Sequence, residues 1–132
     1  MRPALMVVDM QRWFLEVGPP EKLARVPWLI ANTNELIRCF RDRGLPVIRV
    51  VTIHKADGST WNQWMKAQKV PRLIEGTREA EEHPGVDTGD NDIVVTKTRH
   101  SAFLRTQLED LLRARAIDTL AVSYTHLRAH ET

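Results

Sequence analysis

Cysteine is almost absent from this chain, since Cys39 is the only cysteine among its 132 residues. A single cysteine excludes an internal disulfide and fits a reducing compartment. The first apolar stretch is too short for a membrane span and is not followed by a cleavage site, which predicts a cytoplasmic location. Cys39 falls within a predicted helix, at the edge of its apolar face. We therefore expect it to pack as a small buried hydrophobic residue rather than to act as a nucleophile.

Long apolar runs and runs of one charge are also missing. The first apolar stretch, residues 4–8, covers about a quarter of the ~20 residues that a membrane span needs, and Asp9 follows it directly. The 19 basic and 17 acidic residues are scattered, without a basic run that could follow a phosphate backbone. We therefore predict neither a membrane nor a nucleic acid as a partner.

Phosphate loops and metal-ligand patterns are absent as well. No G-x-G-x-x-G and no G-x-x-x-x-G-K-[ST] follows a predicted strand, so no cradle for a phosphate is encoded. His54 is the best metal candidate, but His54, His83 and His100 all lack a matched partner at ligand spacing. His126 and His130 are four residues apart, but they lie in a terminal segment that departs from the rest of the chain. No metal and no cofactor is therefore predicted.

What the sequence does contain is the composition of one globular domain, with 42% apolar and 27% charged residues. Short apolar strands alternate with helical patterns. This alternation predicts an α/β fold, a three-layer Rossmann-like parallel sheet with helices on both faces. The strands are predicted at residues 4–8, 46–52, 93–96 and 120–122.

The clearest helical pattern begins near Pro27 and ends before Gly44. Its 3.6-residue period predicts one buried face formed by Leu29, Thr33, Leu36, Ile37 and Phe40. From residue 54 to residue 90 the periodicity weakens. A connection of this length in a compact domain predicts a functional role or short irregular helices.

The last ten residues interrupt the alternation of strands and helices. A fourth parallel strand should lead into a loop and a covering helix, but only residues 123–132 follow the predicted strand. We therefore expect residues 1–122 to be the native part of the domain and residues 123–132 to be a non-native tail. The sheet is then expected to be incomplete at its C-terminal end, with one flank exposed.

Two charged residues follow or end predicted strands. Asp9 comes directly after the first strand, and Lys97 comes directly after the third. Because open α/β sheets build their sites at the carboxyl ends of their strands, these two side chains are expected to meet at one edge of the sheet. Asp9 could instead simply cap the following turn, and Lys97 could be a solvated residue at a strand end, so a catalytic role is one of two interpretations of this pair.

Three segments together resemble the isochorismatase-like cysteine hydrolases, a family that includes nicotinamidases, N-carbamoylsarcosine amidases and isochorismatases. They are LMVVDMQ at residues 5–11, DIVVTKTRHSAF at residues 92–103, and residues 106–120. Their order and spacing follow the family over roughly the first 122 residues. The whole set is much more specific than the Asp-x-Gln pattern alone.

The resemblance implies a hydrolase that cleaves a small amide through an Asp-Lys-Cys triad. Asp9 would accept the thiol proton and return it to the leaving amine, while Lys97 would stabilise the charges. The family's nucleophilic cysteine would fall near Arg128 to His130, where this sequence has none. The chain therefore resembles the N-terminal two-thirds of a family member and is expected, as written, to be inactive as a cysteine hydrolase.

Two alternatives remain open without the cysteine. Isochorismatase-type members cleave a vinyl ether, and Asp9 would then act as a general acid together with Lys97. A binding or scaffold protein could also keep the same fold without activity.

Candidate substrate-binding residues lie close to the first strand and in the long connection. Gln11, Trp13, Phe14 and Trp61 are predicted to contact a small-molecule substrate, the aromatic rings as an apolar wall. Gln11 could instead orient a loop, and core packing is an equal alternative for the rings. Family members are often oligomeric, so a homo-oligomer is a possible assembly.

Overall fold

A parallel sheet of four strands organises the molecule in the computed structural model, which describes residues 1–69, 71–98 and 107–124. The strands run in the order β3-β2-β1-β4. Their bounds are β1 Pro3–Val8, β2 Val47–Thr52, β3 Ile93–Lys97 and β4 Thr119–Tyr124. The four predicted strands are confirmed to within two residues at each end, and the predicted α/β class is confirmed with them.

The first strand lies inside the sheet. It pairs in parallel with β2 on one side, where Leu5 aligns with Val47, and with β4 on the other, where Leu5 aligns with Ala121. Five consecutive residues of β1 are buried, from Ala4 to Val8. A strand covered on both faces needs apolar side chains in every position, which explains why it has no alternating pattern.

Helices cover both faces of the sheet. The α-helices are α1 Arg12–Glu16, α2 Pro20–Leu23, α3 Val26–Asp42, α4 Gln63–Gln68 and α5 Leu108–Ala114, and a 3₁₀ turn spans Arg78–Ala80. Ile37 of α3 packs against Leu5 and Val7 on one face. Leu108 of α5 packs against Met6 and Val8 on the other. Successive β1 side chains therefore enter opposite cores, as the two-residue period of a strand requires.

The buried face of α3 is rotated slightly from its predicted position. Thr33 and Ile37 are buried, but Leu36 is 43% exposed, so its predicted burial is wrong. At about 100° per residue, Leu36 lies about 60° from Thr33, at the margin of the buried face. Cys39 is also exposed rather than buried, because it lies farther around the helix, where its Sγ is 2.6 Å from Arg43 Nη1.

The long connection between β2 and β3 contains α4 and the 3₁₀ turn, which confirms the prediction of short irregular helices there. Its C-terminal end is held by Asp92, which accepts hydrogen bonds from Arg41 Nη2 at 2.7 Å and Arg49 Nε at 3.1 Å. Arg49 also pairs with Glu82. Burial raises the pKa of Glu82 above its ordinary value, and the Arg49 guanidinium acts in the opposite direction.

The fourth strand forms one edge of the sheet within the described part of the chain. Ser123 and Tyr124, the first two residues of the predicted non-native tail, continue this strand. Ser123 Oγ lies 2.9 Å from Thr33 Oγ1 in a buried hydrogen bond that links β4 to α3. Residues 125–132, which contain the rest of the tail and the positions expected for the nucleophile, lie outside the described residues, as do His100 and the predicted segment 101–103.

Candidate active site

The ends of three neighbouring strands bring Asp9 and Lys97 together, as their positions in the sequence predict. Asp9 follows β1, and Lys97 is the last residue of β3. Lys97 Nζ lies 3.3 Å from Asp9 Oδ2. The side chains are 2% and 3% exposed, respectively, so the ion pair is almost fully removed from water. A pair buried this deeply interacts strongly and needs fixed geometry to offset its desolvation.

The backbone of Asp9 adopts an uncommon conformation. Its φ is 57°, in the left-handed region that aspartate and asparagine enter more readily than most residues. Its N–H donates to the Val50 carbonyl at 2.9 Å, so this turn is attached to β2. Thr52 Oγ1 donates to Asp9 Oδ1 at 2.8 Å, while Lys97 contacts the other oxygen. Both carboxylate oxygens are therefore held in one orientation.

A cavity of about 260 Å³ opens beside this pair. Its volume suits a small organic molecule and lies near the lower end of ligand sites. The described residues that line it are Asp9, Trp13, Phe14, Thr52, His54, Asn62, Trp64, Met65, Arg72, Leu73, Lys97 and Thr98. Trp13 and Phe14 are among them, with ring centroids 5.1 Å apart in an edge-to-face contact. An apolar wall therefore stands next to a charged pair.

Two predicted substrate-binding residues do not reach this cavity. Gln11 is fully buried, and its Nε2 donates to the carbonyls of Thr52 at 2.9 Å and Ala80 at 2.8 Å. Its Oε1 accepts from the Thr52 N–H at 2.9 Å. Trp61 donates from Nε1 to the Lys55 carbonyl at 2.7 Å. Among the described residues, neither lines the cavity, and the geometry favours the alternative in which Gln11 orients the connection.

Replacing Gln11 with alanine is expected to lower the free energy of unfolding by about 2–3 kcal/mol, because buried groups of Thr52 and Ala80 lose their partners. Urea unfolding followed by circular dichroism would measure the loss. Gln68→Ala on exposed α4 is the matched control and should change stability by less than about 0.5 kcal/mol. Equal stability of the two variants would contradict the bridging role.

His54 lines the cavity and is attached to the long connection. Its N–H donates to the Leu73 carbonyl at 2.8 Å, and its carbonyl accepts from the Glu75 N–H at 2.9 Å. Its Nδ1 lies 3.1 Å from both Thr60 O and Thr60 Oγ1. Sequence analysis considered His54 as a metal candidate and did not predict its place in the cavity. Its position two residues after β2, at the carboxyl end of the sheet, was the available signal.

The remaining lining residues come mostly from the long connection. Asn62, Met65, Arg72 and Leu73 have no periodic pattern that would connect them with Asp9, so sequence analysis did not find them. Thr52 is different because it is the last residue of β2. The same rule that selected Asp9 and Lys97 could have selected it.

Within residues 1–69, 71–98 and 107–124, no group of three or more His, Cys, Asp and Glu side chains is placed to hold a metal ion. The predicted absence of a metal therefore remains a prediction. No helix in the same part of the chain is both long and apolar enough to cross a membrane.

A family model described as the isochorismatase domain matches residues 3–123. The chain is 30% identical over 125 residues to a protein of Arabidopsis thaliana named a probable inactive nicotinamidase, covering 91% of this chain and 64% of the relative. It is 29% identical over 126 residues to a maleamate amidohydrolase of Pseudomonas putida, covering 92% of this chain and 58% of the relative.

Solved structures agree with these similarities. An isochorismatase family protein from Desulfovibrio vulgaris superimposes with a TM-score of 0.75 at 34% identity, covering 89% of this chain and 64% of that chain. The chain therefore spans less than two thirds of the length of each of these three proteins.

Proposed function

Because the chain belongs to the isochorismatase domain family, we propose that it forms the N-terminal part of a hydrolase acting on small amides. The observation that supports this proposal is the buried contact between Lys97 Nζ and Asp9 Oδ2, 3.3 Å apart beside a cavity. The similarity to a maleamate amidohydrolase supports an amide as the substrate class.

In the proposed reaction, Asp9 takes a proton from a nucleophilic thiol, and the thiolate attacks the amide carbonyl. The proton then passes from Asp9 to the departing amine, which leaves an acyl thioester that water hydrolyses. Lys97 stabilises the negative charge of Asp9 and the charge that develops during attack. Thr52, donating to Asp9 Oδ1, keeps Oδ2 directed toward Lys97.

The thiol of this route does not come from Cys39. Cys39 is exposed on α3, and it is absent from the described lining of the cavity. We therefore assign the nucleophile to a cysteine that follows β4 in a longer domain, and we propose that the 132-residue chain alone does not hydrolyse amides. The greater length of the relatives supports this assignment.

A second function is favoured by the scarcity of cysteine. If the complete protein has no thiol after β4, Asp9 becomes a general acid that protonates the carbon–carbon double bond of a vinyl ether. Water then adds to the resulting cation, and the hemiketal collapses to a carbonyl and an alcohol. Lys97 would again hold Asp9 in place.

The test is to sequence the reading frame through and beyond the Val122 codon and to assay the complete product. Release of ammonia from a panel of small amides, lost on replacing the new cysteine with serine, is the expected result. Cys39→Ser is the matched control and should retain full turnover. A product without a further cysteine that cleaves a vinyl ether supports the second function. No turnover of either substrate class contradicts both.

A further inference from the structure

Arg72 differs from the other half-buried arginines in the described part of the chain. Arg12 pairs with Glu16 and Glu81, Arg41 with Asp87 and Asp92, and Arg49 with Glu82 and Asp92. Arg72 has no carboxylate within ion-pair distance among the described residues. Its hydrogen bond is a long one, 3.4 Å from Nη1 to the adjacent Pro71 carbonyl. A half-buried arginine without an acidic partner keeps N–H donors that an anionic ligand can use.

The guanidinium lies at the cavity and is held there. Arg72 Cζ is 5.9 Å from the ring centroid of Trp13, and both residues line the cavity. The neighbouring Leu73 is anchored on both sides, because its N–H donates to Glu79 Oε2 and its carbonyl accepts from the His54 N–H, each at 2.8 Å. A guanidinium in a cation–π contact over an aromatic ring keeps N–H groups available for a planar anion.

The described residues that line the cavity carry one more positive charge than negative charge. Asp9 is the one acidic residue among the described lining residues, and Lys97 pairs with it. Arg72 then adds a positive charge without a counterpart in the lining. A cation without a counterpart in a cleft attracts an anionic ligand more strongly than a neutral one.

We propose that Arg72 is a specificity residue that binds a carboxylate on the substrate, so that the preferred substrates are small amides bearing a second, anionic group. This inference rests on the proposed function for the amide, because Asp9 and Lys97 would act on that end of the molecule. Arg72 would fix the other end through paired N–H···O bonds to both carboxylate oxygens. A substrate with one neutral amide end and one carboxylate end matches the cavity's two differently charged parts.

Isothermal titration of the 132-residue chain at low ionic strength tests the proposal with two probes. The monoamide of succinic acid carries a carboxylate, and the diamide of succinic acid replaces it with a neutral amide of similar size. The parent chain should bind the monoamide at least about tenfold more tightly than the diamide. Raising the salt concentration should weaken the binding of the monoamide and leave the binding of the diamide unchanged.

Three variants test whether Arg72 causes the preference for the anionic probe. Arg72→Met keeps the apolar stem over Trp13 and should bind both probes equally. Arg72→Lys should keep only part of the preference, because an ammonium lacks the paired donors. Arg38→Met removes an exposed arginine outside the cavity lining and should behave like the parent. Circular dichroism spectra matching the parent establish that each variant is folded.

Equal binding of the two probes by the parent, a preference that survives Arg72→Met, or no binding of either probe would overturn the proposal. Binding is measured without turnover, so this result is separate from the fate of the amide hydrolase. If the protein binds the anionic probe more tightly but cleaves no amide, the result would contradict the proposed function and support the proposed role of Arg72 in binding a carboxylate. If the protein hydrolyses amides but shows no preference for the anionic probe, the result would support the proposed function and contradict the proposed role of Arg72.

Discussion

Replacement of Asp9 with asparagine is expected to lower kcat of the complete protein by about 10²- to 10⁴-fold. Asparagine has nearly the same shape and also tolerates the φ of 57° observed here. Its amide oxygen can still accept from Thr52 Oγ1, so the local structure should be preserved. It cannot accept or deliver the proton that both proposed reactions require. Steady-state kinetics on the substrate class identified for the complete protein would measure the loss.

The control for this variant is Asp42→Asn, at the exposed C-terminal end of α3. It removes one exposed carboxylate that is not among the described lining residues, and it should keep the parental kcat. A kcat of Asp9→Asn within threefold of the parent, in a protein with an intact circular dichroism spectrum, would exclude Asp9 as the proton carrier.

The charged pair could be predicted because it depends on the most regular part of the sequence. Asp9 follows β1 and Lys97 ends β3, and parallel strands align their carboxyl ends without further information. The same reasoning could have predicted Thr52, the last residue of β2, which donates a hydrogen bond to Asp9. It could not reach Arg72, because the connection between β2 and β3 takes its path from distant contacts. These include the bonds of Gln11 to Ala80 and of His54 to Leu73.

Helix α3 shows a different limit of prediction. Its existence and approximate bounds follow from a strong 3.6-residue period, but the period alone leaves the rotation of its face uncertain by about one residue. The sheet settles that rotation, since Ile37 packs against Leu5 and Val7 while Leu36 stays at the margin. The same small rotation places Cys39 in solvent. A residue at the edge of a face is therefore poorly predicted even when the helix is correct.

Lys97→Met is expected to lower the free energy of unfolding by about 3–5 kcal/mol, because it leaves the carboxylate of Asp9 buried without its ion-pair partner. The lysine and the aspartate are 3% and 2% exposed, respectively, so the carboxylate has little contact with water that could replace the ammonium. Methionine fills much of the same volume, and the loss should come mainly from the charge rather than from packing. Urea unfolding of the 132-residue chain at neutral pH would measure it.

The double variant Asp9→Asn with Lys97→Met separates electrostatics from packing. If the two charges stabilise each other, the double variant should be more stable than Lys97→Met alone, since no buried charge is left unpaired. A matched cycle on Arg113 and Glu109, an exposed pair 2.7 Å apart on α5, should give a coupling energy below about 0.5 kcal/mol. Simple addition of the two single losses at Asp9 and Lys97 would show that the pair is not energetically coupled. A coupled pair that is nevertheless replaceable without loss of stability would indicate that these charges are kept for chemistry rather than for folding.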